Sequence, residues 1–153
     1  MTPQLPAGTE DIPAEKCWEL LAQQQVGRLA VVHQGEPDIF PVSYVVDHGG
    51  IVFRTGAGTK LAAARSHPVA LEVDGLDDAN AIHWSVVLKG QASRLEGVKA
   101  VLQDEFARLV PVQSGPKPWL MRIDPVSVTG RRLRGRSDSR DSTGPTTATQ
   151  DPA

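Results

Sequence analysis

The segment Phe53-Arg54-Thr55-Gly56-Ala57-Gly58-Thr59-Lys60 gathers the residue types that hold an anion. Its glycines let the backbone turn tightly and approach a ligand closely. Arg54 and Lys60 supply positive charge, and Thr55 and Thr59 supply hydroxyl donors. A helix that starts at Thr59 would add its first N–H groups to the same field. Together these features describe a monophosphate pocket. The segment is not a P-loop, because the G-x-x-x-x-G-K-S/T pattern is absent. It is not the G-x-G-x-x-G dinucleotide fingerprint either, because no third glycine follows. A plain turn carrying a solvated Arg and a solvated Lys fits the same residues equally well.

Other reactive side chains are sparse. His33, His48, His67 and His83 show neither H-x-H nor H-E-x-x-H spacing, so no metal site is assigned. His33 and His48 fall in expected hairpin turns. Cys17 is the single cysteine, which excludes an internal disulfide and a multi-cysteine zinc site. It lies on the apolar side of an expected helix, which favours a core role over a nucleophilic one. No Ser-His-Asp order stands out, and no side chain is assigned as a catalytic acid or base.

The elements that must position the Arg54–Lys60 segment are mostly strands. Asp11 as N-cap and Pro13 in the first turn predict a helix over 13–25, with Cys17, Leu20 and Leu21 on its apolar face and Gly27 ending it. Then GRLAVV, DIFPVSYVV and IVFRT, separated by short glycine-containing turns, predict antiparallel strands at 28–33, 38–46 and 50–55. Pro41 has no N–H for a ladder, so it belongs at an edge, at a bulge or facing a ligand. A short alanine-rich helix over 59–65 follows, stopped by His67-Pro68. VALEV is a fourth strand, DGLDDANA a loop, and IHWSVVLKGQASRL a long fifth strand. Val98, Val101, Leu102, Phe106, Leu109 and Val110 predict a second amphipathic helix. After the PVQSGPKP loop, WLMRI and VSVTGRRL supply the last strand or strands. Hairpin-joined strands with helices only at the connections imply a mainly β protein, an antiparallel six-stranded split β-barrel with two to three short helices.

The bulk properties narrow the function classes. At 153 residues the chain suits one domain. The folded domain is expected over 11–136. A flexible N-terminus is expected at 1–10 and a disordered tail at 137–153, where no large apolar residue occurs. A net charge of -2 argues against a nucleic-acid partner. No apolar run approaches the ~20 residues of a membrane-spanning helix, and no basic residue precedes an apolar core at the N-terminus. The expected location is cytoplasmic, with no membrane partner.

In order along the chain stand FPVSY, IVFRTGAGTK, Trp84-Ser85-Val86-Val87-Leu88-Lys89-Gly90-Gln91-Ala92 and Val128-Thr129-Gly130-Arg131-Arg132. Their order and spacing resemble the pyridoxamine 5'-phosphate oxidase-like family of flavin-binding split barrels, in its short actinobacterial-type members. The resemblance covers roughly Trp18 to Leu133. It implies a homodimer with two FMN molecules at the subunit interface. It assigns the isoalloxazine ring to Pro41, Val42, Ser43 and Tyr44, largely through backbone, and the flavin phosphate to Arg54, Thr55, Thr59 and Lys60. Trp84 and Ser85 would approach the flavin from the fifth strand, with Lys89 as a weaker candidate. Trp84 and Tyr44 also suit the core as aromatic strand residues. The Arg/His constellation that binds the vitamin-B6 phosphate in the longer oxidase is not found here.

The implied activity is a flavin-dependent oxidoreductase taking hydride from a reduced nicotinamide or a small-molecule substrate. Alternatives are a non-catalytic flavin-binding or sensing protein and a deazaflavin-dependent reductase that uses the basic run Lys117–Arg136 for its anionic coenzyme. FAD, or haem ligated by His67 or His83, are further cofactor alternatives.

Overall fold

Alternating apolar and polar residues along the strands direct one face of each inward, and the strands close around that face. The computed structural model describes residues 8–77, 79–96, 106, 109 and 118–134. The elements in chain order are β1 (Thr9–Ile12), α1 (Ala14–Gln23), β2 (Val26–His33), β3 (Glu36–Asp47), β4 (Gly50–Gly56), α2 (Lys60–Ala63), β5 (Pro68–Asp77), β6 (Ile82–Leu95) and β7 (Pro118–Arg134). The strands pair in the order β7-β4-β3-β2-β5-β6, and β6 pairs back onto β7. Every pairing is antiparallel. The result is the expected six-stranded barrel, with β1 added to the edge of β7.

Leu29 and Val31 of β2, Leu71 and Val73 of β5, and Val86 and Leu88 of β6 all point inward and are buried. They meet Val42, Ile51, Phe53, Met121 and Ile123 in one core, to which α1 adds Cys17, Leu20 and Leu21. Each such side chain contributes about 1.5–3 kcal/mol on burial. A smaller cluster on the other face of β4 joins Val52 and Leu120 to Phe106 and Leu109. Apart from those two buried residues, the second helix expected near 98–110 lies outside the described residues. So do the PVQSGPKP loop up to Lys117 and the tail at 137–153.

Several boundaries differ from the sequence expectation, each for a tertiary reason. Asp11 is not an N-cap but a strand residue paired with Arg131, and α1 begins at Ala14 with no side-chain cap. Thr9 and Glu10 belong to β1 rather than to a loose N-terminus, because β7 offers them a ladder. Gly27 does not end α1. It lies in β2, where a Cβ would fall 2.9 Å from side-chain atoms of Leu71 and Val73. The fourth strand runs on through Asp77, absorbing half of the expected loop. Gly75 permits this, because the Trp84 ring across the ladder occupies the place of its missing side chain, 2.6 Å from an ideal Cβ. WLMRI and VSVTGRRL form one 17-residue strand, β7.

Candidate functional site

β3 and β4 part over half of their length. β4 pairs with β3 only from Tyr44↔Phe53 to Asp47↔Gly50. Beyond Phe53, β4 continues along β7 to Gly56, whereas the first part of β3 runs along β2. Pro41 stands in this divergent stretch, with a ladder partner on one side only, so its missing N–H is tolerated.

α2 and the turn before it border the gap. Thr59 caps the helix: its Oγ1 accepts from the Ala62 N–H at 3.2 Å and donates to the Gly56 carbonyl at 2.8 Å. With its one proton so used, Thr59 Oγ1 accepts from the fully buried Thr55 hydroxyl at 2.9 Å. Both hydroxyls expected to serve an anion are thus committed to shaping the turn. The charged groups differ from them. Lys60 Nζ reaches across the gap to Asp38 Oδ2 at 3.1 Å. Arg54 Nε is buried with no hydrogen-bond partner. An unpaired buried N–H costs about 1–3 kcal/mol, and native structures reserve such groups for an acceptor that arrives with a ligand, water or ion.

Strand alternation sorts the remaining candidates. Pro41 and Ser43 face outward, while Val42 and Tyr44 are buried in the core. Ser43 is the β3 residue just before the ladder with β4 begins at Tyr44↔Phe53, and Arg54 is the first β4 residue beyond it. The Tyr44 hydroxyl donates to the Leu21 carbonyl at 2.6 Å, and burial pushes its phenol well above the ordinary range. Trp84 also points into the core, over Gly75. Ser85 points outward and donates to Glu72 Oε1 at 3.1 Å. The side chains of Trp84 and Ser85 lie on opposite faces of β6, as the two-residue period of a strand demands. The outward face beside the gap therefore presents Pro41, Ser43 and Arg54, and meets Val42, Tyr44 and Thr55 through main chain alone; Ser85 and Trp84 stand on β6, three strands from Pro41.

A charged cluster missing from the sequence expectation extends this face across β2, β5 and β6. Arg28 Nε donates to Glu72 Oε2 at 2.8 Å, and its Nη2 donates to both Glu72 and Asp74. His83 Nε2 lies 3.2 Å from Asp74 Oδ2. Burial pushes the Asp74 carboxyl up, but hydrogen bonds from Arg28 and His83 outweigh it and hold the group below its usual range. The available signal was Glu72 and Asp74 interrupting an apolar strand on one face. Their partner Arg28 lies 44 and 46 positions away, and no local pattern reports such a pairing. His67 is exposed and stands just before β5, apart from His83 in the chain. Cys17 is buried, its Sγ 3.6 Å from the Ile12 carbonyl, and burial raises its thiol pKa. No group of three or more His, Cys, Asp or Glu among the described residues is arranged to hold a metal. No helix among them is long and apolar enough to cross a membrane.

Known proteins share this fold. An FAD-binding protein from Mycobacterium smegmatis has 32% sequence identity and a TM-score of 0.69, over 82% of this chain and 98% of its own. An FAD-binding protein from Mesorhizobium loti, at 22% identity and a TM-score of 0.68, covers 83% of this chain and 98% of its own and shows the common fold. An uncharacterised protein of Mycobacterium tuberculosis is 30% identical over 139 residues, 86% of this chain and 90% of its own length. The family model for pyridoxamine 5'-phosphate oxidase matches residues 13–132, and with the closed six-stranded barrel and its gap beside α2, the chain belongs to that family.

Proposed function

We propose that this protein is a flavin-dependent oxidoreductase that binds FMN along the outward face beside the barrel gap, as a homodimer. The observation that carries the reading is Arg54: a buried, unpartnered guanidinium nitrogen, next to a turn that Thr55 and Thr59 hold in shape. A phosphate supplies the acceptor that Arg54 lacks. Lys60 adds a second cation once it exchanges Asp38 for the ligand. Pro41 and Ser43 offer an outward surface for the ring where β3 parts from β4, and Arg54 is the first β4 residue past that point. When bound, the flavin supplies the hydride and electron chemistry, while the protein orients it and tunes its surroundings.

FAD is the second reading, favoured by the M. smegmatis relative that binds it. The purified protein should be yellow, and mass spectrometry of the released cofactor should identify FMN or FAD. Anaerobic addition of a reduced nicotinamide should bleach the bound flavin, and an acceptor should restore its colour. A colourless protein that takes up neither FMN nor FAD on titration would sink the reading. Tight flavin binding without reduction by any donor would leave a binding or sensing protein instead.

A further inference from the structure

The Arg28 cluster is built with more care than a surface salt bridge needs. Two of the three guanidinium nitrogens are held by carboxylates, and each carboxylate is held in turn, Glu72 by Ser85 and Asp74 by His83. The third nitrogen, Nη1, has no acceptor among the described residues. Arg28 lies directly opposite Pro41 in the β2–β3 ladder and on the same outward face. Cross-strand Cβ atoms of that kind are about 4.5–5.5 Å apart. Arg28 thus borders, one ladder step away, the surface assigned above to the flavin ring, whereas Arg54 stands on β4, beyond β3.

Charge adds a second constraint. Arg28 carries one positive charge against the two negative charges of Glu72 and Asp74, so the cluster is negative by one when His83 is neutral. Arg131, opposite Ser85, and Asp11, opposite Arg131, follow along the same face and add one charge of each sign. Lys89, farther along the outward face of β6, balances the wider face, so the negative surplus is confined to Arg28, Glu72 and Asp74.

We propose that Arg28 is a positioning residue for the flavin ring, offering its unused Nη1 donors to the ring's carbonyl edge while Glu72 and Asp74 fix the guanidinium and overcompensate its charge. This rests on the flavin reading. A lone guanidinium there would favour the reduced flavin by attracting the added electron density. The two carboxylates cancel that bias, so the ring is held without a large rise in its potential.

Titrations with FMN and with riboflavin, and dye-equilibration potentials of the bound flavin, test this. Arg28→Lys keeps the charge and loses the planar fork. It should weaken FMN and riboflavin by the same factor, roughly tenfold or more. Glu72→Gln and Asp74→Asn, which keep side-chain shape, should each raise the potential. Unchanged riboflavin affinity in Arg28→Lys overturns the positioning role, and unchanged potentials in both carboxylate variants overturn the charge role. Those results with a flavin-binding wild type refute this inference alone. A wild type that binds neither FMN nor FAD refutes it together with the flavin reading.

Discussion

Arg54 and Lys60 carry the same charge but are held differently. Lys60 already has a carboxylate partner, Asp38, and both side chains are partly exposed, so moving to a phosphate exchanges one weak ion pair for another. Arg54 gives up nothing, because its buried Nε has no partner to lose. Arg54→Ala should therefore weaken FMN by roughly 10- to 150-fold, the loss of a charge-assisted hydrogen bond. Riboflavin, which lacks the phosphate, should bind the variant almost as well as it binds the wild type. Lys60→Ala should produce the same pattern with a smaller factor. Quenching of flavin fluorescence gives both affinities, and equal losses for FMN and riboflavin would place Arg54 at the ring or in the fold instead. Residue types made this segment legible in the sequence, since Arg, Thr, Gly and Lys in one short run restrict the chemistry. What each side chain is bonded to was not legible. Thr55 and Thr59 look like ligand donors on paper, yet Thr55 spends its proton on Thr59, and Thr59 spends its own on the Gly56 carbonyl.

Between elements, single side chains fix how the pieces dock. Tyr44 fastens β3 to α1 through its hydroxyl on the Leu21 carbonyl, inside the core. Tyr44→Phe keeps the ring and removes the bond, so it should cost about 1 kcal/mol at neutral pH. The burial-raised phenol also sets an alkaline limit. Its folded pKa lies above the unfolded value near ~10, so its contribution is whole below that pH and fades as pH rises past it. Denaturant titrations at neutral and alkaline pH should show the variant losing less stability than the wild type above about pH 10. An equal alkaline decline in both would assign it to other groups. At the β6–β7 crossing, the register shifts between Lys89 and Gly90, and a Cβ on Gly90 would fall 2.0 Å from the Asp124 carbonyl oxygen. Backbone cannot step aside as a side chain can, so Gly90→Ala should destabilise by at least the ~1–3 kcal/mol of an overpacked core. A thermal midpoint equal to wild type would show that the bulge absorbs the methyl. The sequence disclosed the elements whose signal is local: the alternation of β2, β4 and β6, the caps and glycines around α2, and the span of β6. It concealed β1, the second half of β5 and the unity of β7, because each exists only through a partner strand. Gly75 reads as a loop residue until Trp84 lies over it.

At the scale of the whole molecule, the barrel's outward surface exposes several large apolar side chains. Val26, Val32, Ile39 and Val126 are 52%, 64%, 68% and 83% exposed. A groove of about 530 Å³ is lined by Val32 and Val126 together with Ala30, Pro37 and Ala70, with Lys89 the one charged side chain in its lining. Monomeric proteins rarely leave such patches open. The apolar end lies on the same face as Arg28 and Pro41, so a second copy seated there would border the proposed flavin site. Sedimentation should accordingly give a mass near twice 16.4 kDa. Ile39→Asp puts a charge on a strand position that already faces outward, so the monomer's own fold should survive while self-association weakens. If flavin sits between subunits, the variant's flavin affinity should fall together with its dimer fraction and recover as protein concentration rises. A variant that is monomeric at every concentration yet binds FMN as tightly as the wild type would confine the site to a single chain. A wild type that sediments as a monomer would leave the exposed valines and isoleucine to some other partner.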